Sequence, residues 1–162
     1  MTQCIIYATK NGTAQKAAEM ISQKLGGCDI FNIDKDKFDL SKYDMIIIGS
    51  NIRMGTVDKK ISKLLLQFIK PISEMRRAFF LCCAFPENES GYLERNIPPQ
   101  LLDGSVAAMA LGGELDKSKL KGIDKMIANM VTKADEEKNT HRKIFLDNDK
   151  ICIFVDKITS QP

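Results

Sequence analysis

The sequence predicts an α/β domain in which a doubly wound, five-stranded parallel sheet carries helices on both faces. Three observations predict it. Short apolar runs rich in β-branched residues alternate with segments of helical period along the chain, the pattern of parallel strands joined by crossover helices. The run Met45 to Gly49 is apolar at successive positions, as a central strand covered on both faces must be. With 162 residues, no internal repeat and no long linker, the chain has the size of one domain, for which folding buries about 70% of the unfolded surface.

The elements follow in order. Gln3 to Ala8 reads as strand one, and Ala14 to Leu25 as a helix with Ala17, Ala18, Ile21 and Leu25 at helical spacing. Gly26-Gly27 ends it, since glycine takes the left-handed conformation common at helix ends. Cys28 to Ile33 is a short second strand, Asp34 to Lys42 a charged connection, and Met45 to Gly49 strand three. After a loop from Ser50 to Val57, Asp58 is placed to cap a helix whose Ile61, Leu64, Leu65 and Phe68 share a face, with Pro71 expected to close it. Arg77 to Phe85 is expected to be strand four, followed by a polar turn from Pro86 to Gly91 and a helical piece near Tyr92 to Asn96 that Pro98 and Pro99 break. Ser105 to Leu111 is strand five. Beyond Gly112-Gly113, Lys119 to Lys133 places Leu120, Ile123, Met126, Ile127 and Met130 on one helical face, where methionine serves as core filler. Ile151 to Ile158 fits a strand by propensity and a helix by spacing; a sheet that needs its last face covered favours the helix, capped by Asp147 or Asn148.

Composition narrows the function. A net charge of +3 with lysines spread along the chain does not mark a nucleic-acid binder. The single histidine, His141, stands in a polar stretch, which disfavours histidine-based metal or triad chemistry. Five cysteines, Cys4, Cys28, Cys82, Cys83 and Cys152, lie mostly within apolar runs and read as buried free thiols. Apolar runs fall far short of the ~20 residues of a membrane helix, and the N-terminus lacks the features of a signal peptide. The expectation is a cytoplasmic protein without a transmembrane segment.

In an open parallel sheet the ligand sits at the carboxyl ends of the strands, near the point where strand order reverses. The loops after strands one, three and four therefore matter. Thr9-Lys10-Asn11-Gly12-Thr13-Ala14 runs from a strand into a helix and is rich in hydroxyl and amide groups. Helix N-terminal N–H groups and the helix dipole favour a phosphate monoester there, and Gly12 permits close approach. It has neither the three spaced glycines of the dinucleotide fingerprint nor the glycine-lysine-hydroxyl ending of the triphosphate loop. On spacing alone Asn11-Gly12 reads equally as a tight turn with Thr13 as N-cap; its position after strand one favours the anion.

The order strand, Thr9-x-Asn11-Gly12-x-Ala14, helix resembles the flavodoxins, whose loop reads Ser/Thr-x-Thr-Gly-x-Thr around the phosphate of flavin mononucleotide (FMN). Thr9 and Gly12 match; Asn11 and Ala14 depart from the pattern, with the Asn11 amide and Thr13 as replacement donors. A closer resemblance is to the flavodoxin-like branch containing the menaquinone-dependent protoporphyrinogen dehydrogenases. It rests on Tyr7 to Thr13, on Tyr43 to Gly55 with its Gly49-Ser-Asn-Ile-Arg-Met-Gly55 stretch, on Val106 through Gly112-Gly113-Glu114-Leu115-Asp116, and on Phe145 to Lys150. The resemblance implies strand order 2-1-3-4-5, FMN as cofactor, and a site built from Thr9, Lys10, Asn11, Gly12, Thr13 and Ala14 with Ser50, Asn51, Ile52, Arg53 and Gly55.

The third loop, contributing Ala84, Phe85 and Pro86, is then expected on the other side of the flavin ring. Arg53 suits a role in stabilising negative charge on the reduced ring, the other reading being a surface ion pair. The chain has no tryptophan, so an aromatic stack would come from Tyr92 or Phe85 or be replaced by an aliphatic contact. The loop from Phe85 to Tyr92 is short where the protoporphyrinogen branch carries a long insertion.

Three functions remain open: an FMN redox protein whose partner is a protein, a quinone or a small-molecule substrate, a quinone-dependent protoporphyrinogen dehydrogenase, and a flavin-free structural or regulatory module. The basic charge balance disfavours an ordinary shuttle, which docks through an acidic face.

Overall fold

The computed structural model describes residues 1–113 and 145–160. Five parallel strands, β1 (Gln3–Ala8), β2 (Asp29–Asn32), β3 (Met45–Asn51), β4 (Arg76–Cys82) and β5 (Ala107–Ala110), lie in the order β2-β1-β3-β4-β5. The helices are α1 (Thr13–Lys24), α2 (Lys59–Gln67), α3 (Ile69–Glu74), α4 (Glu89–Asn96), α5 (Pro99–Leu102) and α6 (Asn148–Ser160). Among the described residues no helix is long and apolar enough to cross a membrane.

The period of two along each strand divides the core in two. Ile5, Tyr7, Met45, Ile47, Ala78 and Phe80 face one layer, closed by Ala17, Ala18 and Ile21 of α1 and by Ile151, Phe154 and Ile158 of α6. Cys4, Ile6, Ile46, Ile48, Phe79 and Leu81 face the other, closed by Ile61, Leu64 and Leu65 of α2 with Ile72, Leu93 and Leu101. This is why Cys4 to Ala8, Met45 to Gly49 and Ala78 to Cys82 read as apolar runs: both faces of β1, β3 and β4 are covered.

Several expectations stand. Asp58 caps α2, its side chain accepting from Lys60 N at 2.9 Å. The ambiguous last segment is helical, with Asp147 Oδ1 accepting from Asp149 N at 2.9 Å and Lys150 N at 3.1 Å. The predicted helix from Lys119 to Lys133, the polar stretch after it and His141 lie outside the described residues.

Others are corrected. Pro71 does not close α2, which ends at Gln67; it sits third in α3, where an N–H would have no intrahelical acceptor to lose. Strand four ends at Cys82 rather than Phe85, because Cys83 N turns to Gly112 O at 2.9 Å. The expected turn from Pro86 to Gly91 is a 3-10 turn at Pro86–Asn88 followed at once by α4. Thr13 is the first helical residue, and Gly12, with φ 90°, is the N-cap.

Arg77 joins the helices of the second layer. Although only 7% exposed, its guanidinium donates to Ser73 O at 3.0 Å, Leu101 O at 2.7 Å and Asp103 O. These carbonyls belong to the ends of α3 and α5 and to the residue after α5, so one buried cation satisfies groups that helix termini leave unpaired.

Candidate functional site

β1 and β3 are neighbours, but the loop after β1 leads to α1 on one face and the loop after β3 to α2 on the other. The chain thus diverges at their carboxyl ends and opens a crevice, the usual ligand position in such a sheet.

The first loop is organised by its own side chains. Thr9 Oγ1 accepts from Gly12 N at 2.9 Å. Asn11 Oδ1 accepts from Thr13 Oγ1 at 3.2 Å, from Thr13 N at 3.5 Å, and from Asn51 Nδ2 of the second loop at 2.8 Å. Asn11 Nδ2 has no partner among the described residues. Lys10 extends outward, its Nζ 3.7 Å from Asp58 Oδ2. Ala14 is fully buried in the core with Ala17 and Ala18, so its side chain packs α1 against the sheet.

The second loop is a two-residue hairpin. Arg53 and Thr56 exchange backbone hydrogen bonds at 2.9 and 3.1 Å, and Met54 and Gly55 between them have φ of 51° and 78°, as the tight turn that matches strand twist requires. Asn96 of α4 clamps it, accepting from Val57 N at 2.9 Å and donating to Gly55 O at 3.0 Å. At its root Ser50 Oγ accepts from Asp58 N at 3.0 Å and donates to Asn51 O at 3.1 Å. Asn51 Oδ1 is buried and has no donor. Buried polar atoms are rarely left so.

These loops border a cleft of ≈ 530 Å³ in which Thr9, Lys10, Ser50, Asn51 and Arg53 come together. Asn11, Gly12, Thr13, Ala14, Ile52, Gly55, Ala84, Phe85 and Pro86 do not line it. Ile52 packs with Tyr92 against the second core layer, and the third loop is drawn into its own turn by Asn88 N donating to Phe85 O at 3.1 Å. The cleft instead recruits Asp34, Met54, Thr56 and Val57, together with Asp58, Lys59 and Lys60 at the start of α2. Sequence reading saw Asp58 as a cap and did not assign the adjacent lysines to the site; their position immediately after the second loop was the available signal. Lys60 forms a close ion pair with Asp34, and its hydrogen bond holds that carboxyl below the usual carboxylate range.

The arrangement is cationic, with hydroxyl and amide donors on one wall and an unsatisfied buried acceptor at the junction of the two loops. It can hold an anion beside a group that carries its own donor.

The chain matches the family model described as flavodoxin domain over residues 4–142. Among solved structures, the metal-soaked Flv1 flavodiiron core from Synechocystis sp. PCC6803 superposes with a TM-score of 0.54 at 15% identity, over 83% of this chain and 36% of that one. At that identity the likeness is one of fold. A flavoprotein in complex with FMN from Lactobacillus acidophilus NCFM gives a TM-score of 0.49 at 20% identity, over 67% of this chain and 92% of that one. A flavodoxin from the domain Archaea gives 0.49 at 15%, over 82% and 99%. No curated protein matches the chain.

Proposed function

We infer that this chain, which belongs to the flavodoxin-domain family, holds FMN at the crevice between its first two loops and transfers electrons through it. The observation that carries the reading is the junction of those loops: Asn51 is tied to Asn11 at 2.8 Å while its own Oδ1 lies buried without a donor.

The residues present fit the group. Thr9 Oγ1, the free Nδ2 of Asn11 and the start of α1 suit a phosphate monoester. The orphaned oxygen of Asn51 suits a ligand hydroxyl or imide N–H. Bound flavin supplies the redox chemistry, and the protein supplies position and electrostatics. Arg53 and Lys10, both exposed on the rim, favour negative charge on what binds. Ser50 holds Asp58 N and thereby the entry to α2, keeping the hairpin against the cleft. Ala84, Phe85 and Pro86 remain part of this proposal as the far wall met by the ring. The described cysteines are all free, which suits a reducing cytoplasm.

The reading predicts that the purified protein is yellow, or becomes so with added FMN, with absorbance near ~450 nm from the cofactor. Colourless protein that does not bind FMN in a titration overturns it and leaves a structural or regulatory module. The stretch Gly49 to Gly55 makes oxidation of protoporphyrinogen to protoporphyrin, with a quinone acceptor, the specific enzyme reading. Anaerobic turnover with that substrate and a soluble quinone decides it; a mixture in which no protoporphyrin forms eliminates the enzyme and leaves the carrier.

A further inference from the structure

Beside the cleft lies a face whose positive charge the protein only partly neutralises. Residues 59–73 contain four lysines and neither aspartate nor glutamate. On α2, Ile61, Leu64 and Leu65 turn into the core, which leaves Lys59, Lys63 and Leu66 exposed. Lys59 borders both the cleft and a shallow depression on the outer side of α2 that Lys63 and Leu66 line, so the two surfaces are continuous. Together they hold five cations, Lys10, Arg53, Lys59, Lys60 and Lys63, and two carboxylates, Asp34 and Asp58. Each carboxylate is already tied to a lysine of the same face, whereas Lys59 and Lys63 have no ion-pair partner among the described residues. Two large apolar side chains stand out of this cationic field: Met54 at the hairpin tip is 80% exposed and Leu66 68%.

We propose that this face docks the acidic surface of a partner protein, with Met54 and Leu66 as apolar anchors and the lysines steering the encounter, so that the partner's redox centre meets the cleft. Scattered apolar anchors within a charged field are the anatomy of a transient protein interface. A bilayer surface would call for a continuous apolar stripe to bury, and the stripe of α2 is spent on the core. Electron exchange across this interface rests on the flavin reading above; docking itself does not.

The probe is a plant-type ferredoxin, a small redox protein with an acidic surface, titrated calorimetrically into the full chain. Binding is expected to weaken about tenfold between about 50 and 300 mM salt. It should weaken by a similar factor in the double variant Lys63→Glu/Leu66→Asp, both positions outside the cleft, and be absent for a basic c-type cytochrome. Flavin content, read separately by absorbance, reports on the cofactor reading alone. Ferredoxin binding that is absent, indifferent to salt, or unchanged in the double variant overturns the proposal. So does co-sedimentation with phosphatidylglycerol vesicles, lost in that variant, when ferredoxin does not bind.

Discussion

Asn51 donates from Nδ2 to Asn11 Oδ1 at 2.8 Å, joining two loops that lie 40 residues apart in the chain. The same oxygen receives the hydroxyl of Thr13 at 3.2 Å, so a single side-chain carbonyl holds the start of α1 and the end of β3 together. Asn11 stands where the flavodoxin pattern has a hydroxyl residue, and its longer side chain reaches a partner a threonine would not.

Replacing this acceptor separates architecture from binding. Asn11→Ala should lower stability by about 1–2 kcal/mol, the cost of leaving its donors unpaired, and weaken FMN by roughly tenfold. Asn11→Asp keeps the acceptor but exchanges the free Nδ2 donor for a charged oxygen. It should fold with a stability within about 0.5 kcal/mol of the parent and still lose at least about tenfold in affinity. Urea midpoints and quenching of flavin fluorescence read the two quantities; an Asn11→Asp protein that binds FMN as the parent does removes Asn11 from the phosphate site.

Gly49 sits opposite Phe80 in the β3–β4 register, and a Cβ at position 49 would overlap the Phe80 ring. Both side chains at this rung cannot exceed the space one ring fills. Gly49→Ala should therefore destabilise by about 2–3 kcal/mol through overpacking. Phe80→Leu in the Gly49→Ala background should return part of that loss, a non-additivity that thermal unfolding of the four proteins measures.

Arg77 is the polar link between α3, α5 and the sheet. Arg77→Met keeps the length of the stem and removes every donor, leaving the carbonyls of Ser73, Leu101 and Asp103 without their partner. A loss of about 3 kcal/mol is expected. Arg77→Lys should recover less than half of it, since an ammonium does not reproduce the planar fork; equal urea midpoints for the parent and Arg77→Met would contradict this role.

The buried thiols set an alkaline limit. Burial pushes Cys4 from an ordinary value of 9.0 up to about 12 and Cys83 up to about 11. Below the unfolded value both states hold the proton and the thiols add no pH dependence. Above it the unfolded chain loses protons that the folded chain retains, so stability falls as pH rises from near 9 toward these folded values. Urea midpoints should be level between about pH 7 and 8 and decline beyond about 9, with the decline shallower in Cys4→Ala/Cys83→Ala. The same native thiols should resist alkylation at neutral pH, as unionised sulfur is a poor nucleophile.

The strands were legible because β1, β3 and β4 are covered on both sides, and runs such as Cys4-Ile5-Ile6 and Met45 to Ile48 have no polar residue to interrupt them. The cap at Asp58 was legible because its chemistry is local. The end of β4 was not: Cys82 and Cys83 look alike in sequence, and only Gly112, arriving from β5, takes the Cys83 N–H. Pro71 misled because a proline ends one helix and opens another with the same dihedral angle.

By itself the sequence determined the parallel sheet, its layered core and the loop Thr9 to Thr13 as the entry to α1, since period, propensity and turn chemistry act over a few residues. Only the tertiary structure decided which residues border the cleft. It packed the Ala14 side chain into the core, joined Asn11 to Asn51, left the third loop off the cleft, and brought Asp34, Lys59 and Lys60 to its rim. Which side chains meet across a crevice depends on how α1 and α2 leave opposite faces of one sheet, and spacing along the chain carries no measure of that divergence.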